Sequence, residues 1–190
     1  MNAHIFNKTV LAACDSTNLN HALQSDAVSI IFLNANINLL LSREYKENCR
    51  RKPIFIHFDL LKGLSDDKES LRFLKKYVNP FGIVTTKNIV ARSAKKEGLT
   101  IIQRIFLIDT TSFKKSLEAI AENRPDAIEI MPAIAPSIVK RYKEHVNIPI
   151  ILGGLISQES QIAEAFKNQA DAVSLSKSEL WNYKQTPEGR

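Results

Sequence analysis

The sequence has little of what marks secreted, membrane-spanning or metal-binding proteins. No apolar run approaches the ~20 residues of a membrane helix, and Ala27–Leu33 is only as long as a strand. The opening stretch MNAHIFNKTV lacks the long apolar core of a signal peptide. The two cysteines, Cys14 and Cys49, do not have the spacing of metal ligands. We therefore expect a cytoplasmic protein with reduced thiols and no metal site.

The bulk composition is that of an ordinary globular protein. Of the 190 residues, 44% are hydrophobic and 24% are charged, which argues against a disordered chain. The formal net charge is +6 and the isoelectric point is near 9.3. Such a charge favours polyanionic partners but does not identify one.

Apolar strand-like segments alternate with helical segments along the whole chain. We predict strands at Val10–Ala13, Val28–Leu33, Ile54–Asp59, Gly82–Thr86, Thr100–Leu107, Ala127–Met131, Ile148–Leu155 and Ala172–Ser176. The clearest helices are predicted at Leu19–Gln24, Ile37–Asn48 and Asn88–Glu97, with others following Asp67, Asp109, Pro136 and Ser157.

Eight strands alternating with helices predict a compact (β/α)8 barrel of the TIM type with parallel strands. We expect one domain over residues 1–190 with a short polar tail from about 184 to 190. The alternative is an open, doubly wound sheet.

The stretch IPIILGGL, at residues 148–155, holds the strongest local signal. Gly153 and Gly154 follow a buried strand, and Ser174 and Ser176 close the next one. Glycine lets backbone N–H groups approach a ligand closely, and parallel barrels often bind phosphate at this place. The alternative is a tight turn with surface serines.

Side chains alternate between the two faces of a strand, so parity predicts which residues point to the barrel axis. In the third strand these are Phe55, His57 and Asp59, and in the sixth they include Glu129. Only one of Gln103 and Arg104 can point inward. Lys87 follows the fourth strand. We interpret His57 as a hydrogen-bonded core residue rather than a ligand-binding one.

The carboxyl ends of the strands would therefore gather carboxylates, cations and glycines at one mouth. One interpretation is a pocket for a small polyol phosphate, and the other is a buried ion-pair network that satisfies the barrel's own polar groups. The predicted ligand-binding residues are Asp59, Lys87, Arg104, Glu129, Gly153, Gly154, Ser174 and Ser176.

Six segments in order resemble the glycerol uptake operon antiterminator regulatory proteins. They are HFDLLKGLS, IVTTK, LTIIQRIFLID, PDAIEIMP, IPIILGGLI and AVSLSKSELW, within about Val10 to Trp181. The resemblance implies a bacterial cytoplasmic regulator, not an enzyme, which responds to glycerol-3-phosphate and acts on the leader mRNA of glycerol genes to prevent transcription termination. It implies no cofactor besides this effector.

Two segments depart from the family pattern. Leu175 stands where the family ending has a hydroxyl residue, but parity points Leu175 away from the axis. Cys14-Asp15 stands where a basic residue before the acid is usual, so contacts from that first loop are the least secure.

Basic residues recur in the last turns of the predicted helices, which approach the end of the barrel opposite the mouth. This rim would suit phosphate contacts with RNA, although cations there also complement helix dipoles, and no recognised RNA-binding motif occurs. The candidates are Arg50, Arg51, Lys52, Lys75, Lys76, Lys95, Lys96, Lys140 and Arg141.

A second hypothesis is a phosphate-binding barrel enzyme, an isomerase or aldolase-like protein acting on a small sugar phosphate. It would use Asp59, Lys87 and Glu129 as acid, base or electrostatic groups. The fold hosts both kinds of protein. Formation of a homo-oligomer is also open at this stage.

Overall fold

A computed structural model describes residues 3–184 and shows a closed barrel of eight parallel strands in sequence order. The first strand pairs with both the second and the eighth, which closes the sheet and rules out the open alternative. The strands are β1 Thr9–Cys14, β2 Ser29–Phe32, β3 Ile54–His57, β4 Gly82–Thr85, β5 Ile101–Phe106, β6 Ala127–Met131, β7 Ile150–Gly153 and β8 Ala172–Leu175.

Short helices surround the sheet, so a TIM-type barrel fits into a short chain. They are α1 Leu19–Gln24, α2 Ile37–Leu41, α3 Arg43–Arg51, α4 Lys68–Phe73, α5 Asn88–Lys96, α6 Thr110–Asn123, α7 Ile138–Lys143 and α8 Glu159–Lys167. Single turns of 3-10 helix occur at Ala3–Phe6, Phe58–Leu60 and Ser178–Leu180, and a π-helical turn at Leu74–Val78 extends α4. Among these helices, none is both long and apolar enough to cross a membrane.

The prediction of one helix over Ile37–Asn48 was wrong. The chain breaks at Ser42, whose extended backbone ends α2 and whose side chain accepts a hydrogen bond of 3.1 Å from Tyr45 N to begin α3. Serine is a preferred N-cap because its oxygen satisfies a free amide of the first turn. The last helix likewise begins one residue later than expected, with Gln158 rather than Ser157 at its N-cap.

The third strand is also shorter than predicted. It ends at His57, and Asp59 lies in the 3-10 turn that follows it. Only Lys184 of the predicted polar tail is described, and the remainder of that tail lies outside the described residues.

Two apolar layers hold the barrel together. The outer layer packs the helices on the sheet and includes Ile54 and Ile56 of β3. The inner layer fills the barrel axis and includes Phe55 of β3. This alternation confirms the predicted parity. The inner layer is apolar towards the amino ends of the strands, and polar groups occupy the barrel axis towards their carboxyl ends.

Candidate functional site

The interior of the barrel changes from apolar to polar towards the carboxyl ends of the strands. Leu11, Phe55, Ile102 and Ile151 of the odd-numbered strands lie in the inner apolar layer. The residue two places further along each of these strands points the same way. These residues are Ala13, His57, Arg104 and Gly153. Around the closed barrel each small residue therefore lies opposite a long polar one, Ala13 across from Arg104 and Gly153 across from His57, and Ala13 leaves space beside Arg104.

A buried polar chain crosses three strands at this level. Arg104 Nε of β5 donates to Glu129 Oε2 of β6 at 2.6 Å, and Ser174 Oγ of β8 donates to Glu129 Oε1. The Arg104 and Glu129 side chains are only 8% and 0% exposed. Burying two charges is costly unless they are paired and hydrogen-bonded, and both oxygens of this carboxylate have partners. Parity left Arg104 and Gln103 as alternatives, and Arg104 is the inward one.

Gln103 points outward, where it joins a cluster of amide side chains on the helix side of the sheet. Its Nε2 donates to Asn88 Oδ1 at 2.8 Å, and Asn123 Nδ2 donates to Gln103 Oε1 at 3.0 Å. These bonds tie α5 and α6 to β5 away from the barrel interior.

Glycine is needed at the last residue of β7, Gly153, and at the next residue, Gly154, for different physical reasons. A Cβ on Gly153 would press on Ser174 Oγ and lie 2.9 Å from Glu129 Oε1, so this position is glycine because the polar chain passes beside it. At Gly154 a Cβ would meet nothing closer than 3.7 Å, but the backbone has φ +78°. That left-handed conformation favours glycine.

A cavity of about 140 Å³ opens above the polar chain, and we call it the mouth cavity. Four of the predicted ligand-binding residues line it, namely Arg104, Gly154, Ser174 and Ser176. The remaining lining residues are Ala13, Leu33, Met131, Leu155, Ile156 and Leu175. Glu129 and Gly153 lie directly behind this lining, through their contacts with Ser174.

The sequence predicted backbone amides at the glycine pair, and the structure adds the amides of the two residues that follow it. Leu155 has φ +61°, so two successive left-handed residues turn the chain after β7. Among residues 3–184, the amides of Leu155 and Ile156 donate no hydrogen bond to another protein group. Free N–H groups in such a turn are typical of anion-binding loops. The glycine pair was the sequence signal for them.

Asp59 lies outside the lining of the mouth cavity and ties β3 to the end of β4. It accepts hydrogen bonds from Thr85 Oγ1 at 2.5 Å, and from Thr86 N and Thr86 Oγ1 at 2.7 Å each. Burial raises the pKa of this carboxyl, but the hydrogen bonds from Thr85 and Thr86 outweigh burial and bring the pKa below its usual range.

Lys87 also lies away from the mouth cavity lining, and it forms an ion pair with Asp66. Both side chains are more than two-fifths exposed, at 45% and 42%. The hydrogen bond to Asp66 raises the pKa of the Lys87 ammonium. The prediction that Asp59 and Lys87 bind ligand therefore rests on the sequence and not on their position at this cavity.

His57 is buried beside the polar chain, with 4% of its surface exposed. Within residues 3–184 its Nδ1 has no hydrogen-bond partner, so the predicted burial of His57 is confirmed but no hydrogen bond is seen at this nitrogen. Burial lowers the pKa of the imidazole, and the Arg104 guanidinium lowers it further. The ring is therefore neutral at neutral pH.

The cationic candidates for RNA contact divide into two groups. Lys52 Nζ caps α1 by donating to Ala22 O at 2.9 Å and Ser25 O at 2.8 Å, and Lys95 pairs with Asp126 at 2.7 Å. Arg141 stacks on the Phe113 ring and lines a cavity near the mouth, so it is not at the opposite end. The exposed candidates without such a partner in the described residues are Arg50, Arg51, Lys75, Lys96 and Lys140, while Lys76 Nζ lies over the Tyr77 ring, 5.1 Å from its centroid.

Comparison with known proteins identifies relatives along almost the whole chain. The family model described as glycerol-3-phosphate responsive antiterminator matches residues 9–181. A protein of Escherichia coli (strain K12), named Uncharacterized protein YgcP, is 31% identical over 175 residues, covering 92% of each chain.

Solved structures agree with this match. The glycerol uptake operon antiterminator regulatory protein from Listeria monocytogenes str. 4b F2365 has 29% identity and a TM-score of 0.85, covering 92% of this chain and 95% of that one. A glycerol uptake operon antiterminator-related protein from Thermotoga maritima MSB8 has 26% identity and a TM-score of 0.80, covering 94% and 99%. An N-acetylmannosamine-6-phosphate 2-epimerase from Clostridium perfringens, at 13% identity and a TM-score of 0.68, shares the fold alone.

Proposed function

Because the chain belongs to the glycerol-3-phosphate responsive antiterminator family, we propose that it binds glycerol-3-phosphate in the mouth cavity. We further propose that it acts as a transcription antiterminator by binding the leader mRNA of glycerol-utilisation genes. One observation carries the ligand assignment: the Arg104 guanidinium lines the mouth cavity while Glu129 holds its Nε from behind.

Arg104 is suited to an anionic group because its planar donors match phosphate oxygens. Glu129 engages Nε, and within residues 3–184 the two outer nitrogens of Arg104 have no protein hydrogen bond. A phosphate in the cavity would accept from these nitrogens and from the free amides of Leu155 and Ile156. Loops after the seventh and eighth strands are the usual place for phosphate in such barrels.

The size of the cavity suits a small polyol. Pockets for drug-sized ligands measure ~300–1,000 Å³, so a cavity of about 140 Å³ suits a smaller ligand. Ser174 and Ser176 offer hydroxyl groups on one side, while Ala13 and Met131 present apolar surface that suits a short carbon chain.

The enzyme hypothesis loses support at its three proposed catalytic groups. The Asp59 carboxylate is engaged by Thr85 and Thr86, Lys87 by Asp66, and Glu129 by Arg104 and Ser174. None of the three lines the mouth cavity. An acid or base must reach the reacting proton directly or through one water, so the regulator is the better-supported function.

The test is thermal unfolding with and without glycerol-3-phosphate, with glycerol and inorganic phosphate as controls. A ligand that binds only the folded state at a hundredfold excess over its Kd adds about 2.7 kcal/mol. We expect a selective shift with glycerol-3-phosphate, and then binding of the leader transcript in a mobility assay.

Two results would count against the proposal. Equal shifts with inorganic phosphate and glycerol-3-phosphate would show a generic anion site. Turnover of a triose or pentose phosphate that disappears in Lys87→Ala would favour the enzyme hypothesis.

A further inference from the structure

A groove of about 530 Å³ lies at the end of the barrel opposite the mouth cavity, and we call it the amino-terminal groove. It lies between the segment before β1 and the turns that lead into β7 and β8. Its lining residues are Phe6, Asn7, Lys8, Lys143, Phe166, Lys167, Gln169, Ala170 and Asp171.

The groove carries an excess of positive charge. Three lysines face it with one carboxylate, Asp171. Asp171 Oδ2 accepts from Lys143 Nζ at 2.6 Å and from Ile150 N at 2.7 Å, so it is occupied. Lys8 and Lys167 are exposed, and neither belongs to an ion pair within residues 3–184.

The backbone around these lysines is held in place. Lys8 has φ +53°, and its amide donates to Asp171 O at 2.8 Å. Asp171 N in turn donates to Ile150 O at 2.9 Å. Phe6 and Phe166 are 8% and 3% exposed and form a firm floor. The charged groups therefore project from a fixed frame.

The chemistry of the groove suits a polymer of phosphates better than a small ligand or a stack of bases. Lysine ammonium groups are flexible point charges without the orienting fork of arginine. The two aromatic rings are buried in the floor and offer no free face for stacking, which single-strand base binding requires. The remaining interaction is electrostatic attraction between the lysines and the phosphates of an RNA backbone, which positions the RNA without reading its sequence.

The surface around the mouth cavity is less suited to such a contact. The loops after β5, β6 and β7 expose the apolar side chains of Ile108, Ile134 and Leu155, at 88%, 68% and 72%. Resting on the proposed function, we propose that the amino-terminal groove receives the sugar–phosphate backbone of the leader RNA, with Lys8 and Lys167 as its phosphate contacts.

Both sites can then be occupied together, since β8 separates them. Asp171 of the groove precedes β8, and Ser174 and Ser176 of the mouth cavity lie at its other end.

The test compares Lys8→Gln with Lys167→Gln against a matched control, Lys114→Gln with Lys115→Gln. The control removes the same charge from exposed positions in the first half of α6. The probes are a labelled leader transcript and a single-stranded RNA of mixed sequence, titrated at several salt concentrations.

We expect the groove variant to bind both RNAs more weakly, with its salt-dependence slope smaller by about 1.4, since each single-strand phosphate contact contributes about 0.7. The control variant should keep the wild-type slope. The glycerol-3-phosphate melting shift should be the same in all three proteins, which reports that they are folded.

The outcomes separate the two ideas. A groove variant that binds both RNAs like wild type overturns the groove assignment alone, and loss of binding in Arg50→Gln with Arg51→Gln would then move the site to the helix ends. If wild type binds neither RNA, the proposed function fails and the groove assignment fails with it.

Discussion

The two ends of the barrel hold their charges in opposite ways. At the mouth, Arg104 and Glu129 are buried and oriented by each other and by Ser174. At the amino-terminal groove, Lys8 and Lys167 are exposed at the rim of a larger space. A buried, oriented guanidinium discriminates among small ligands, whereas exposed ammonium groups attract any polyanion. Under the proposed function, this difference would let one small barrel separate recognition of a metabolite from contact with a polymer.

The buried pair is the strongest test of this difference. Arg104→Met leaves the Glu129 carboxylate buried without its counter-ion. Breaking such a pair costs about 3–5 kcal/mol, so we expect that loss in urea unfolding together with loss of the glycerol-3-phosphate shift.

The matched change at the other end is Lys143→Met. Its ion pair with Asp171 has side chains 30% and 27% exposed, so the loss should stay within about 1 kcal/mol. Arg104→Met with Glu129→Gln should recover part of the stability without ligand binding. Equal costs at the two ends would remove the contrast on which this comparison rests.

The turn after β7 provides the second test. Gly154→Val forces a β-branched residue to φ +78° and should abolish glycerol-3-phosphate binding while the fold persists. Gly98→Val is the control, because Gly98 has φ +73° and no atom within 4 Å of an added Cβ.

Both variants should lose about 1–3 kcal/mol from the same kind of backbone strain, but only the first should lose the ligand. Unchanged affinity in Gly154→Val would remove this turn from the binding site.

The third and smallest effect concerns pH. The pKa of His57 is lowered by burial and by Arg104, against the opposing influence of Asp59 and Glu129. A folded-state pKa below the unfolded value of ~6.5 means that the contribution to stability is complete above ~6.5 and is lost as the pH falls from there towards the folded pKa.

Urea unfolding from about pH 7 to about pH 5 should therefore show falling stability in wild type and a flatter profile in His57→Gln. Asp59 does not interfere, because its pKa is lowered from an ordinary value of 3.8 and it acts at more acid pH. The groove variant should follow wild type. A His57→Gln profile as steep as wild type would assign the slope to other groups.

Several local features could not be predicted from the sequence because they depend on residues far apart in the chain. Ser42 is an ordinary polar residue in an otherwise helical pattern, and only the packing of α2 and α3 shows that it caps a new helix. Lys8, Lys143 and Lys167 lie in three separate segments, so no sequence cluster pointed to the groove. The helix-end cations formed visible pairs in the sequence, yet Lys52 and Lys95 are engaged in contacts within the fold.

The sequence by itself determined the barrel, the parity of its strands and the polar character of its mouth. The alternation of apolar and polar residues has a period that local backbone geometry sets, so it can be read from the sequence without knowing any tertiary contact. Tertiary structure alone decided which polar groups have a hydrogen-bond partner in the protein and which are left for a ligand. It joined Glu129 to Arg104 and Ser174 and engaged Asp59 with Thr85 and Thr86. It left Arg104 at the cavity and, among residues 3–184, left the amides of Leu155 and Ile156 without a protein hydrogen bond. Hydrogen-bond partners depend on distances between strands, and those distances exist only once the barrel has closed.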